Sequence, residues 1–79
     1  MASDTYSLDT APVKTPLIVS AIQGGGGIRR KLNSMGIHTG DTVTVIRSGF
    51  IGGPVLISIH GMEVALGRGM AKSITVSGA

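Results

Sequence analysis

The chain has 79 residues and no Cys, with seven Lys and Arg against four Asp and Glu, a net charge of +3 and a pI near 10.0. That length holds one small domain with a modest core, and the lack of Cys excludes a disulfide-stapled secreted scaffold. The longest apolar run, Leu17 to Ile22 with one Ser inside, is too short to span a bilayer, and Met1-Ala2-Ser3-Asp4 lacks the basic start and apolar core of a signal peptide; the lack of Cys is compatible with a cytoplasmic protein.

Residues 1–5 read as a disordered tail and residues 6–79 as one domain. From Tyr6 to Thr15 the sizeable anchors are Tyr6, Leu8 and Val13, while Pro12 and Pro16 restrict the segment to extended or turn conformations. Leu17 to Ile22 is a strand by length and β-branching, although its apolar residues fall on both parities and leave the inward face open. Gly24 to Gly27 breaks that strand. Ile28, Leu32 and Met35 then recur at i, i+4 and i+7, one face of a short helix. Arg30 and Ser34 point away from that face, and Arg29 and Lys31 flank it. Gly36 suits the left-handed position that ends a helix, with Ile37 beyond it to pack back.

His38 to Asp41 is a turn, and Thr42 to Arg47 a strand with Val43 and Val45 on one face. Ser48 to Gly53 is a glycine-rich loop carrying Phe50 and Ile51, and Pro54 can open the next strand, where a missing N–H costs little. A two-residue turn at His60-Gly61 places Ile59 opposite Met62, Ile57 opposite Val64 and Val55 opposite Leu66, all on one face. The other face pairs Ser58 with Glu63 and Leu56 with Ala65. Gly67 to Lys72 is a turn or one 3₁₀ turn, and Ile74 and Val76 supply a last strand. The sum is an all-β fold: a small barrel of about five strands with one short α-helix.

Chemistry-bearing residues are scarce. The four-glycine run lacks the Gly-Lys-Ser/Thr of a phosphate-binding loop, and Arg29 breaks the Gly-x-Gly-x-x-Gly spacing. No nucleophile elbow or Ser–His–Asp order is marked, so no catalytic residue is assigned. His38 and His60 are the weak metal candidates; each sits in its own turn, short of the ligand count a metal demands. Tyr6 and Phe50 are the only aromatic side chains, too few for the stacking platforms of single-strand binders. What remains suits a partner protein. Arg29, Arg30 and Lys31 cluster positive charge, Phe50 and Ile51 offer apolar area at a loop tip, and Arg68 and Met70 mark a third candidate in the glycine turn.

The chain resembles the ferrous-iron transport protein A family over roughly Tyr6 to Ser77. The resemblance is carried by Arg29-Arg30-x-Leu32 followed by Gly36-Ile37-His38-Thr39-Gly40-Asp41, by Gly53-Pro54-Val55, and by Gly61-x-x-Val64-Ala65-Leu66 before Met70-Ala71 and Ile74-x-Val76. Many members have Arg and two acidic residues after Ala-Leu; Gly67-Arg68-Gly69-Met70 is similar to a glycine-and-methionine subgroup instead. Lys14 stands where similar sequences often have Gly. The resemblance implies an SH3-like barrel that Leu8 helps to close. It also implies an accessory role, docking on the cytoplasmic part of the membrane ferrous-iron transporter without bond chemistry. No cofactor is required under that reading, and weak surface binding of Fe2+ stays open. Two alternatives keep the fold: a stand-alone relative of the SH3-like domain of metal-dependent repressors, and a basic barrel on RNA.

Overall fold

The computed structural model describes residues 4–48 and 53–78. These form six strands, all in one sheet: β1 (Thr5–Ser7), β2 (Pro16–Ile22), β3 (Thr42–Ser48), β4 (Val55–Ile59), β5 (Met62–Leu66) and β6 (Ile74–Gly78), in the order β1-β6-β2-β3-β4-β5. Two helices interrupt them, α1 (Gly26–Ser34) and α2 (Arg68–Lys72), and a 3₁₀ turn covers Leu8–Thr10. The sheet curls around a core that includes Leu17, Val19, Leu32, Ile37, Val45, Ile57 and Ile74. This is the expected all-β small barrel, with one strand, one 3₁₀ turn and one α-helical turn more than the sequence pattern indicates.

The extra strand comes from the N-terminal segment. Thr5 lies opposite Ser77 and Tyr6 opposite Val76, so pairing begins inside the stretch expected to be a tail. Leu8 is 1% exposed, which puts it in the core as the resemblance implies. The extra helical turn is α2. Here the correction is to the turn or 3₁₀ turn expected over Gly67–Lys72: the Ala71 N–H donates to the Gly67 carbonyl at 2.9 Å, an α-type i to i−4 bond. Ala71 is buried, so a small apolar residue at that place lets the turn sit close on the sheet.

The open question about β2 has a simple answer. Its register against β6 shifts between Val19 and Ala21, leaving Ser20 as an extra residue. A bulge reverses the alternation, so Leu17 and Val19 are buried before it and Ile22 after it. β3 has a similar register shift between Val45 and Arg47. The β4–β5 hairpin has the register expected from alternation, with Val55 opposite Leu66, Ile57 opposite Val64 and Ile59 opposite Met62. The turn residues His60 and Gly61 have φ of 54° and 75°, positive at both central positions as a twisted two-residue turn requires. Met62, at the end of the shared face, is 55% exposed.

Helix α1 ends as its sequence indicates. Gly36 has φ of 86°; its N–H donates to the Asn33 carbonyl at 3.0 Å, and the Ile37 N–H reaches back to the Leu32 carbonyl at 2.9 Å. These two bonds satisfy carbonyls that the helix leaves unpaired, and they bring buried Ile37 over buried Leu32. Lys14 also lies in the left-handed region, with φ of 59°, and its N–H donates to the Val45 carbonyl at 2.7 Å. A Gly at this place would adopt that conformation without strain.

Candidate functional site

The positive strip lies on α1. Arg29, Arg30 and Lys31 are all exposed. Consecutive helical residues differ by about 100°, so the three fan across the solvent face while Leu32, next in line, points into the core. The Arg29 guanidinium donates to the Ile22 carbonyl at 3.3 Å, which lays that side chain against the end of β2. Among the described residues, none of the three is in an ion pair. The strip therefore keeps its charge available for a partner. The apolar loop tip, Phe50 and Ile51, lies outside the described residues.

Arg68 and Met70 sit differently. Arg68 Nη1 lies 3.9 Å from Asp9 Oδ2, where Asp9 is 8% exposed overall. A carboxylate this well covered needs a partner, and the pair ties α2 to the 3₁₀ turn. Ser7 Oγ adds a hydrogen bond to Asp9 Oδ1 at 2.8 Å. Met70 is half-buried against the core. Asp9 is the residue that sequence reasoning misses. Its one signal is the short Ser7-x-Asp9 spacing, which is common in polar turns.

The two histidines are in separate turns, as expected, but the fold brings those turns together. Asp41 Oδ2 lies 3.7 Å from His38 Nδ1 and 3.5 Å from His60 Nε2. It also accepts the His38 backbone N–H at 2.7 Å. That backbone bond is the main cause of a lowered Asp41 pKa; partial burial opposes it, and the neighbouring imidazoles lower it further. His60 Nε2 is also 3.2 Å from the Gly36 carbonyl oxygen, which accepts when Nε2 carries the proton. Three polar groups thus join the β4–β5 turn to the link between α1 and β3. Among the described residues, no group of three or more His, Cys, Asp or Glu has the arrangement to hold a metal ion. The same residues contain no helix long and apolar enough to cross a membrane.

Comparison with known proteins follows the same outline. The FeoA domain family matches residues 6–78. A protein of Methanocaldococcus jannaschii, provisionally named Fe(2+) transport protein A, is 42% identical over 74 residues, covering 94% of this chain and 88% of its own length. The crystal structure of an iron uptake regulatory protein (FeoA) superposes with a TM-score of 0.85 at 35% identity, over 94% of this chain and 97% of that one. A manganese-dependent transcriptional repressor shares the fold, with a TM-score of 0.88 at 20% identity, over the whole of this chain and 44% of its own. With the barrel topology, the domain match over nearly every residue and close relatives of similar length, the chain belongs to the FeoA domain family.

Proposed function

We propose that this protein is a cytoplasmic accessory of ferrous-iron uptake that docks on the cytoplasmic part of the membrane iron transporter. The observation that carries the reading is the 42% identity to a protein named for Fe(2+) transport over 94% of this chain. The surface supports it: the exposed Arg29, Arg30 and Lys31 offer charge for steering an acidic partner. Phe50 and Ile51, outside the described residues, are the apolar side chains the sequence offers to hold it once met. The role is one of contact, without bond chemistry, and needs no resident cofactor.

The test is binding to the immobilised cytoplasmic domains of the transporter, followed at two salt concentrations. Arg30→Glu is expected to slow association and weaken its salt dependence, because interface charge acts mainly on encounter. Phe50→Ala is expected to speed dissociation, costing about 1–3 kcal/mol as a truncated aromatic anchor does. Unchanged rates for both folded variants would remove both surfaces from the docking site and turn attention to Arg68 and Met70. A second reading, a regulatory barrel related to the metal-dependent repressors, is favoured by the shared fold at a TM-score of 0.88. A third, a basic barrel on RNA, rests on the net charge of +3. An RNA filter assay beside the transporter assay separates it from docking.

A further inference from the structure

A groove of about 320 Å³ lies between the bulged end of β2 and the last turns of α1. Arg29 and Asn33, one helical turn apart, form one wall. The turn residues His38 and Thr39 close the end, and Ser20, Ala21 and Ile22 make the floor. The extra residue of the bulge is Ser20, so the same irregularity that reverses the burial of β2 shapes this floor. Bulges commonly mark places where a strand re-aims its side chains toward a site.

Arg29 is the one lining side chain that only donates, and Asn33, His38 and Thr39 can each donate as well as accept. Arg29 gives one N–H to the Ile22 carbonyl at 3.3 Å, and a guanidinium has four more. That bond holds the side chain along the wall. Asn33 brings an amide and Thr39 a hydroxyl. His38 Nδ1 is turned to Asp41, leaving Nε2 as its other ring nitrogen. Ser20 gives its hydroxyl proton to the Thr75 carbonyl at 3.1 Å, so it remains an acceptor there. Among the described residues no Asp or Glu lines the groove; the Asp41 carboxylate lies 3.7 Å from His38 Nδ1. Ala21 and Ile22 add an apolar stretch of floor.

From this arrangement we infer that the groove receives a carboxylate side chain, Glu or Asp, presented by an acidic segment of a protein partner. One guanidinium is the single permanent charge, which matches a monoanion; sites for phosphate dianions usually gather more. The planar fork of Arg suits the two oxygens of a carboxylate, and the apolar floor suits the methylene stem that carries it. For the partner's identity the inference rests on the docking reading, but the groove can be tested without the transporter.

The test is an NMR titration of the 15N-labelled full chain with acetyl-Ala-Glu-Ala-amide, with the Gln counterpart, and with inorganic phosphate. The Glu peptide is expected to shift the backbone amides of Ser20 to Ile22, Asn33, His38 and Thr39 along saturable curves. The Gln peptide should bind about tenfold more weakly, the usual order for losing a charge-assisted hydrogen bond. Arg29→Gln should weaken the Glu peptide by a similar factor. Asn33→Asp, an exposed change that sets a carboxylate one helical turn from Arg29, should do so too, by pairing with the guanidinium and repelling the peptide. Equal curves for the Glu and Gln peptides would overturn the proposal. So would saturation by phosphate with none by the Glu peptide, which would mark an adventitious ion only. Loss of peptide binding with transporter binding intact rejects the groove alone; the reverse rejects the docking reading and leaves the groove standing.

Discussion

Gly36 offers a clean perturbation because two effects that usually mix are separated there. Its φ is 86°, and a Cβ built on it would meet no atom within 4 Å. Gly36→Ala therefore adds no clash, and its cost is conformational. Holding an L-residue in the left-handed region costs about 1–2 kcal/mol, while the stiffer unfolded chain returns roughly 0.4–1 kcal/mol. The net loss is about 1 kcal/mol, or a melting temperature lower by about 4–8 °C for a domain of this size. Gly27, inside α1, is the matching control. It too has open space around its Cβ, but its backbone is helical, so the unfolded-state gain stands alone and Gly27→Ala should stabilise by about 0.4–1 kcal/mol. Equilibrium urea melts, with unchanged slopes, read both. Gly36→Ala as stable as the parent protein, or Gly27→Ala less stable than it, would refute this account of how the helix ends.

Leu32 is fully buried, so Leu32→Ala should cost about 2–5 kcal/mol, whereas Arg30→Ala, at an exposed position, should cost under about 0.5 kcal/mol; equal losses in urea would mean the helix faces another way. Asp41 has a lowered pKa when folded, so its contribution is present above its unfolded pKa of about 3.9 and is lost as pH falls through the folded value. The stability gap between the parent protein and Asp41→Asn should accordingly hold from pH 6 to about pH 5 and shrink as the pH falls below about 4; a gap still constant at about pH 2 would remove Asp41 from the acid response. Chelator should leave the melting temperature unchanged, since among the described residues no group of three or more His, Cys, Asp or Glu is arranged to hold a metal ion; a large drop would point first to His38 and His60.

Local rules carried most of the fold. Alternation on both sides of His60-Gly61 was enough to set the register of β4 and β5, because one face had to be apolar throughout and only one pairing makes it so. The helix end was legible for a similar reason: Gly36 followed by Ile37 is a local signal with a local cause. What alternation could not supply was its own interruption. Nothing in Leu17 to Ile22 announces that Ser20 will be squeezed out of register, since the bulge is settled by how β6 lies against β2. The first strand escaped notice for a related reason. Thr5 and Tyr6 suit a strand, but three residues are too few to read as one, and the segment is held by pairing with β6, 68 or more residues further on.

The candidate sites divide along the same line. Exposure of Arg29, Arg30 and Lys31 follows from helical period, so the sequence alone could place them. The convergence of His38 and His60 on Asp41 could not be read that way, because it depends on the β4–β5 hairpin folding back over the turn after α1. The groove beside Arg29 is of the same kind: it combines a strand bulge, a helix wall and a turn that lie apart in sequence and have no shared motif. Its donors are individually ordinary residues, an Asn, a Thr and an exposed Arg. Their chemistry becomes specific only through the bulge at Ser20 and the Arg29 bond to the Ile22 carbonyl, which together fix a donor-bearing wall over an apolar floor. The proposed groove therefore rests on a backbone irregularity, and that is the kind of feature a sequence pattern records least.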